Sequence, residues 1–360
     1  MHNILYYISG HGYGHATRSI ELIHALLAKN SELFFHIRTD APEWIFKLNL
    51  RTNYQLYPVK LDIGAVQNTS FEINKMESFR QVAGLYARKE QLVKQEAELA
   101  KRVQTKLIVA DIPSLAFDIA EAVQVPGIAL TNFTWDWIYQ DYVQEIPEFA
   151  ALIAQIKSSY QKARLLLRLP FYGDLTIFPQ IKDIPLIARK ATKSREEVWR
   201  RLNMDPHCKS KLILVALRAA DIQQVDFNKL AAEREFKFIT LGLKKSPENC
   251  LNLPPDFMRF PELVQACDAV ISKPGYGVVS EIIANQTPLL YTSRSDFVEY
   301  KVLVQGLTEY AVAEFLPRAD FYAGNWVASL RALFNRPQNW KKIAAGGADC
   351  AAQEILSLLS

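Results

Sequence analysis

Two histidines alternate with three glycines in residues 9–18, Ser-Gly-His-Gly-Tyr-Gly-His-Ala-Thr-Arg. The glycines let the backbone turn sharply, and a helix that starts after them would direct unpaired N–H groups at an anion. We therefore assign Gly12 and Gly14 to a nucleotide-binding turn. A histidine at such a turn can act as a general base, so His15 is the candidate catalytic base and His11 a candidate acceptor ligand. A helix-capping or packing role is the alternative for either histidine.

This turn does not match the dinucleotide fingerprint G-x-G-x-x-G, because His15 stands where the third glycine belongs. A nicotinamide enzyme is therefore disfavoured, although Asp40 follows the second predicted strand at a position suited to a ribose. The sequence places no carboxylate or third histidine beside the two histidines to complete a metal site, so we predict none.

Two later segments carry candidate partners for His15. Asp111 ends a buried apolar run, where a carboxylate could hold the imidazole in one tautomer; a simple loop aspartate is the alternative. Residues 132–139, Asn-Phe-Thr-Trp-Asp-Trp-Ile-Tyr, follow the next predicted strand and are rich in aromatic side chains. Because aromatic rings suit sugar faces, we assign Asn132 and Trp135 to the acceptor, with a domain interface or ordinary core as the alternative.

A second glycine-bearing turn lies in the other half of the chain, where 272–281 reads Ser-Lys-Pro-Gly-Tyr-Gly-Val-Val-Ser-Glu between a strand and a helix. Its N–H groups can receive a diphosphate, and Glu281, one turn into the helix, can accept hydrogen bonds from ribose hydroxyls. Glu281 could instead be an ordinary acid near a helix N-terminus. The residues assigned here to the nucleotide are Ser272, Lys273, Gly275, Tyr276, Gly277, Ser280 and Glu281.

The elements that must position these residues alternate between short apolar runs and helical patterns. The alternation stops in a proline-rich stretch between Pro170 and Pro185 and then restarts. The sequence thus predicts an α/β protein of two Rossmann-like, doubly wound domains, 1–185 and 186–340, with a helix in 341–360 that packs back on the first domain. Since ligands bind beyond the carboxyl ends of parallel strands, we expect the site in a cleft between the domains.

Composition narrows the function classes. The 360 residues include 42 Lys and Arg and 38 Asp and Glu, which gives a net charge of +4. This net charge is too small to create the concentrated positive field that nucleic-acid binding requires. The four cysteines form no CxxC pair, which favours a reducing compartment. The first residues lack signal-peptide features, and no apolar run approaches the length of a membrane span, so we expect a cytoplasmic protein.

Six segments together resemble the GT-B glycosyltransferases, in particular family 28. The resemblance is closest to the N-terminal, glycosyltransferase-like region of plant L-arabinokinases and its stand-alone bacterial relatives. The segments cover most of the chain and are SGHGYGHATR at 9–18, LDIGAVQ at 61–67, TNFTWDWIY at 131–139, RLP at 168–170, IPLIARKATKSREEV at 184–198 and SKPGYGVVSEIIANQTP at 272–288. The kinase half of the plant proteins is absent, so sugar phosphorylation is not implied.

The resemblance implies that the C-terminal domain holds a nucleotide-sugar donor and the N-terminal domain an acceptor. His15 matches the loop histidine that serves as base in many inverting members, and Glu281 matches the ribose-binding glutamate. Asp296 and Glu299 fall where related enzymes contact the donor sugar. The sequence departs from the family pattern at the end of the first strand of the C-terminal domain. Relatives carry a glycine-rich turn there, whereas this chain has Arg218, which could pair with the diphosphate.

We therefore predict an inverting, metal-independent transfer of a hexosyl or N-acetylhexosaminyl group from a nucleoside diphosphate, UDP by preference, to a hydroxyl. His15 and Asp111 would be catalytic, with the nucleotide sugar as co-substrate and no further cofactor. The partners are this donor and a hydroxyl-bearing acceptor, without nucleic acid, and peripheral membrane contact is not indicated. The alternatives are a nucleotide-sugar 2-epimerase and a catalytically silent nucleotide-sugar sensor.

Overall fold

The computed structural model describes residues 2–69, 71–205, 207–245, 247, 250–294 and 297–359. The chain forms two compact units. Unit 1 comprises 1–66, 73–187 and 344–360, and unit 2 comprises 67–72 and 188–343. The change between the units at 187/188 lies two residues beyond the boundary placed from the sequence. The sequence pattern gave no sign that 67–72 group with unit 2.

The first half of the chain alternates strands and helices as its hydrophobic pattern predicts. The strands are β1 (His2–Ile8), β2 (Leu33–Thr39), β3 (Tyr54–Pro58), β4 (Gln67–Thr69), β5 (Glu72–Ile73), β6 (Thr105–Asp111), β7 (Gly127–Thr131), β8 (Leu165–Arg168) and β9 (Ile181–Asp183). The helices are α1 (Tyr13–Lys29), α2 (Glu43–Asn49), α3 (Lys75–Tyr86), α4 (Lys89–Arg102), α5 (Leu115–Val123), α6 (Trp135–Gln140) and α7 (Phe149–Tyr160).

Unit 1 is built on a seven-stranded sheet in the order β3-β2-β1-β6-β7-β8-β9, with each neighbouring pair parallel. The side chains of 4–8 in β1 are buried without alternation, as expected for a central parallel strand covered on both faces. The stretch between β5 and β6 forms two helices, α3 and α4, rather than one. α1 begins at Tyr13, so that His15 lies in its first turn.

The second half restarts the alternation. Its strands are β10 (Lys211–Val215), β11 (Phe236–Leu241), β12 (Cys250–Leu253), β13 (Ala269–Ser272), β14 (Leu289–Thr292) and β15 (Ala313–Leu316). Its helices are α8 (Arg195–Arg201), α9 (Ala219–Ile222), α10 (Asn228–Ala231), α11 (Phe260–Ala266), α12 (Tyr276–Asn285), α13 (Glu299–Tyr310), α14 (Arg318–Tyr322), α15 (Val327–Asn335) and α16 (Gly347–Ser357).

Unit 2 contains a six-stranded parallel sheet in the order β12-β11-β10-β13-β14-β15, a doubly wound arrangement. Phe71, from 67–72, is buried in the core of this unit, where its ring meets Phe321 and Tyr322 at centroid distances of 5.8 and 5.7 Å. The aromatic side chain at 71 accounts for the grouping of 67–72 with unit 2.

The last helix belongs to unit 1. α16 packs against α1, and Lys29 Nζ lies 3.4 Å from Asp349 Oδ1. A bridge between Leu186 and Ala345 fixes the chain just before α16. Among the residues that the structure describes, none of the helices is both long enough and apolar enough to cross a membrane.

Candidate active site

The turn between β1 and α1 forms as the glycine pattern predicts. Gly12 has φ 91°, a left-handed conformation that side chains other than glycine rarely adopt, and its N–H donates to the carbonyl of Gly10 at 2.8 Å. A Cβ at Gly10 would fall 1.9 Å from Asp40 Oδ1, so the glycine lets this carboxylate lie against the turn. Gly14 is already helical, and its carbonyl accepts from the hydroxyl of Thr17 at 3.1 Å. The turn directs the first residues of α1 towards the end of β6.

His15 and Asp111 meet at the carboxyl ends of neighbouring strands. Parallel pairing of β1 with β6 places Ile8 opposite Asp111, and the N–H of Ser9 donates to the Asp111 carbonyl at 3.1 Å. His15, one helical turn after Gly12, then reaches Asp111 Oδ1 with Nδ1 at 2.9 Å. His15 is 7% exposed and Asp111 is fully buried. The pair joins residues 96 positions apart in the chain.

Arg18 surrounds the other side of the Asp111 carboxylate. Its Nε and Nη2 lie 2.6 Å from Oδ2 and 2.5 Å from Oδ1, and its Nη1 donates to Asn132 Oδ1 at 2.8 Å. The Ser19 hydroxyl also lies 3.2 Å from Oδ2. Burial by itself raises the pKa of Asp111, but the charges of Arg18 and His15 and their hydrogen bonds outweigh it and lower that pKa. Asp111 is therefore ionised at neutral pH and accepts hydrogen bonds.

Asp62 is a second buried carboxylate of unit 1, in the loop after β3. Its Oδ2 accepts from Trp135 Nε1 at 2.7 Å. Burial raises the pKa of Asp62 to about 6, against the lowering effect of hydrogen bonds from Ser9 and Trp135. The charges of Asp40, which raises this pKa, and His15, which lowers it, also act on Asp62, so the group belongs to the same end of the sheet.

Trp135 does not offer a surface to a sugar, contrary to its assignment from the sequence. It is 2% exposed, stacks on Tyr139 at 5.6 Å and meets the edge of the His11 ring at 5.1 Å. The physical reason is that its indole lies under the loop that carries Asp62 and Gly64, and Tyr139 donates to the Gly64 carbonyl at 2.9 Å. The core interpretation of this aromatic segment is the correct one for Trp135.

His11 and Asn132, also assigned to the acceptor, have protein contacts in the structure. The His11 ring lies against Gly64, where a Cβ would fall 2.4 Å from His11 Nδ1. Asn132 is fully buried and accepts from Arg18. Asn132 thus supports the guanidinium beside His15 and Asp111.

In unit 2 the second glycine-bearing turn joins β13 to α12. The N-terminus of α12 has no side-chain cap, and a Cβ on its N-cap residue Gly275 would meet nothing within 4 Å. Ser272 and Ser280 use their hydroxyls within the protein, Ser272 donating to the Ala216 carbonyl at 2.7 Å and Ser280 to the Gly277 carbonyl at 3.0 Å. Tyr276 is buried. The backbone of the turn, rather than these side chains, is available to a ligand.

Cationic groups gather around this turn. Burial lowers the pKa of Lys273 well below its ordinary value, and the charges of Arg294 and Arg218 lower it further, against Asp221 and Glu299. Arg294, missed in the sequence, is 7% exposed, its Nη1 lies 3.4 Å from Glu299 Oε2 and its guanidinium lies 3.7 Å from the Phe297 ring centroid. Glu299 therefore has Arg294 as a neighbour. Asp296 lies outside the described residues.

Glu281 has a protein partner that the sequence did not indicate. Its Oε1 accepts from Arg189 Nε at 2.6 Å, and both side chains are buried. Asn285 donates to the Arg189 carbonyl at 3.0 Å and holds that backbone in place. Arg189 is therefore a buried partner of Glu281, although it belongs to a run of basic residues.

Sequence reasoning missed Arg18, Asp62, Arg189 and Arg294. The spacing could have identified Arg18, because residues three apart share a helix face and Arg18 follows His15 at that distance. Asp62 lies in the 61–67 segment used for the resemblance, without a role assigned to it. Arg189 stands in a basic run, and no local signal separates it from its exposed neighbours.

Known proteins show the same fold over the full length. The chain is similar to the glycosyltransferase of kitacinnamycin (14% identity, 99% of each chain covered, TM-score 0.65). It is also similar to UGT89C1 of Arabidopsis thaliana, solved in complex with UDP (13% identity, 99% of each chain, TM-score 0.62). These likenesses confirm the predicted α/β fold of two Rossmann-like domains, the GT-B fold.

The L-arabinokinase of Arabidopsis thaliana is 28% identical to the chain over 342 residues, which are 92% of this chain and 32% of that protein. The chain thus spans about a third of the length of the curated relative. A family model described as glycosyl transferase family 1 matches residues 2–297. With a match over most of its residues and a GT-B fold, the chain belongs to glycosyl transferase family 1.

Proposed function

We propose that this glycosyltransferase moves a sugar from a nucleoside diphosphate to a hydroxyl acceptor, with His15 as the base. The observation that carries the proposal is the 2.9 Å contact between His15 Nδ1 and Asp111 Oδ1. An ionised Asp111 accepts a hydrogen bond from Nδ1–H, and this leaves the lone pair of the ring on Nε2. A neutral imidazole held in this tautomer is suited to remove a proton from a hydroxyl.

The reaction is a single displacement. Nε2 of His15 takes the acceptor proton while the acceptor oxygen forms a bond to the anomeric carbon. The bond from that carbon to the diphosphate oxygen breaks, and the diphosphate leaves with its electron pair. A single displacement inverts the configuration at the anomeric carbon.

Unit 2 supplies the groups that favour the departing diphosphate. The open N-terminus of α12 carries backbone N–H groups and the positive end of the helix dipole. Burial and then the charges of Arg294 and Arg218 lower the pKa of Lys273, and a diphosphate beside these groups would offset their positive charge. These cations supply the charge that a metal ion supplies in other enzymes, so we propose a metal-independent reaction.

A uridine nucleotide is the first donor to test, because UGT89C1, which shares the fold, was solved with UDP. We keep for Glu281 the ribose contact that the family resemblance implies. Arg189 would hold the Glu281 carboxylate in a fixed position for it. The sugar is a hexose or an N-acetylhexosamine in this proposal.

The test separates donor binding from chemistry. Thermal unfolding is measured with a panel of nucleoside diphosphates and nucleotide sugars; ligand at about 100 times its Kd stabilises the fold by roughly 2.7 kcal/mol. Donors that bind are incubated with a mixture of hydroxyl acceptors and, separately, alone, and His15→Ala is run in parallel. We expect transfer that needs an acceptor, persists with EDTA and is lost in H15A, which still binds the donor.

Three results would overturn the proposal. If no nucleotide changes the melting temperature, donor-dependent transfer loses its basis. If the sugar is isomerised in the absence of an acceptor, the protein is an epimerase. If H15A transfers sugar as fast as the wild type, His15 is not the base.

A further inference from the structure

Arg18 is the most extensively bonded cation near the proposed base. Three of its nitrogens are engaged at once: Nε and Nη2 with the two oxygens of Asp111, and Nη1 with Asn132. The side chain is 4% exposed. A guanidinium bound on two edges inside the protein is not available to a substrate, so its role must act through the groups that it touches.

Two groups compete for Nδ1 of His15. Asp111 Oδ1 lies 2.9 Å from it and Arg18 Nη2 lies 3.0 Å from it. A guanidinium only donates hydrogen bonds, whereas a carboxylate only accepts them. If Arg18 bonded Nδ1, the ring proton would sit on Nε2 and the ring could not act as a base there. If Asp111 bonds Nδ1, Nε2 is free of the proton.

The geometry favours Asp111. With an unprotonated Nδ1, the ring lone pair and a carboxylate oxygen would face each other at 2.9 Å, which is repulsive. Nη2 meanwhile lies closer to Asp111 Oδ1, at 2.5 Å, than to the ring. A charge-assisted bond from Nδ1–H to the carboxylate satisfies both groups.

We propose that Arg18 is a positioning residue for the transfer reaction: it holds Asp111 ionised and aligned, and Asp111 in turn keeps His15 in the tautomer with Nε2 unprotonated. This inference rests on the proposed function of His15 as the base. Arg18 fixes both oxygens of the carboxylate, and Asn132 fixes Arg18.

The groups facing Asp111 show why Arg18 is required. His15, Arg18 and Ser19 approach it from α1, and the Tyr6 side chain faces it from β1. Arg18 is the permanent cation among them. Without it, burial would raise the pKa of Asp111, and a protonated Asp111 would donate to Nδ1 and place the ring proton on Nε2.

The tautomer of His15 is measurable without any substrate. Long-range ¹H–¹⁵N spectra of the full chain labelled with [¹⁵N]histidine distinguish the two tautomers, and His15→Gln assigns the signal. In the wild type at neutral pH we expect Nδ1 protonated and Nε2 unprotonated. In Arg18→Met this preference is lost, and in Arg18→Lys, which keeps a cation, it is partly retained.

Arg38→Met is the matched control, because Arg38 also bonds a buried carboxylate in unit 1, with its Nε 2.8 Å from Glu96 Oε2. R38M removes a comparable pair and is expected to leave the His15 spectrum unchanged.

A wild-type His15 protonated on Nε2, or an R18M spectrum identical to that of the wild type, would overturn the inference. If R18M does not fold, the comparison of R18K with the wild type decides the same point, because a merely structural Arg18 predicts identical spectra.

Kinetics complete the test. R18M is expected to lower kcat by about 10- to 100-fold with little change in the donor KM, and to move the acidic limb of the pH profile to higher pH. In an Asp111→Asn background the further loss should be small, since Arg18 acts through Asp111. Additive losses would assign Arg18 a separate role. If the spectra behave as expected and no transfer is found, the proposed function fails, while the control of the His15 tautomer by Arg18 stands.

Discussion

Asp111 lies opposite Ile8 in the parallel register of β6 and β1. The Asp111 carbonyl accepts a hydrogen bond at 3.1 Å from the N–H of Ser9, the residue after Ile8. The sheet itself therefore carries both partners of the proposed catalytic pair, the carboxylate at the end of one strand and the glycine turn that leads to His15 at the end of its neighbour. A site built on sheet register is expected to be stiff.

Asp111→Asn is expected to lower kcat by about 10²- to 10⁴-fold, because an amide can donate to Nδ1 and leave the proton on Nε2 of His15. The nucleotide affinity should be unchanged, since the groups proposed for the diphosphate and the ribose lie in unit 2 and Asp111 is buried in unit 1. Initial-rate kinetics and calorimetric titration with the donor nucleotide measure the two quantities. A D111N variant with wild-type turnover would contradict the assignment.

Arg189→Met is expected to destabilise the protein by about 3–5 kcal/mol, because the buried Glu281 carboxylate would lose its guanidinium partner. Urea unfolding measures the change. The exposed pair of Lys47 and Glu43 gives the control, and Lys47→Met should cost roughly 0–1 kcal/mol. The double variant R189M/E281Q should recover part of the loss; an unchanged loss would show that the ion pair is not its source.

Asp62 gives stability a pH dependence of definite sign. Burial raises its pKa from an ordinary 3.8 to about 6, so the folded protein holds this proton more tightly than the unfolded chain. The contribution of Asp62 to stability is fully present below its unfolded pKa, and about 3 kcal/mol of it is lost as the pH rises through about 4 to 6.

Asp62→Asn keeps an amide oxygen for Trp135 but cannot ionise. The free energy of unfolding of D62N relative to the wild type should therefore be greater at pH 7.5 than at pH 4. The difference between the two proteins isolates Asp62 from the other titrating groups. A difference that does not vary with pH would show that Asp62 does not titrate abnormally.

Binding of a diphosphate should take up protons. The pKa of Lys273 is lowered by burial and by the charges of Arg294 and Arg218, and an anion beside it raises that pKa again. At pH values where Lys273 is partly deprotonated in the free protein, we expect proton uptake when the nucleotide binds. Calorimetric titrations with UDP in two buffers of different ionisation enthalpy measure it, and Lys273→Met should bind more weakly without uptake. Equal binding enthalpies of the wild type in both buffers would contradict the expected proton uptake.

The local pattern was enough for the fold and for part of the site. Alternating apolar and helical segments predicted two doubly wound domains, because each element must bury its own apolar face. Gly12 marked the first turn, where its φ of 91° favours glycine, and Gly275 marked the second turn. His15 and Asp111 were predicted as partners because each stands at the carboxyl end of a predicted strand or in the turn after it, and the structure places them 2.9 Å apart.

Pairings between distant residues were decided by tertiary structure. Arg189 looked like one member of a basic run, and only packing placed it 2.6 Å from Glu281, 92 positions away. Trp135 looked like a sugar platform, and only the loop that carries Asp62 covered it. Residue type and local spacing determine which elements form and where they turn, whereas strand register and the packing of loops determine which buried charges face one another.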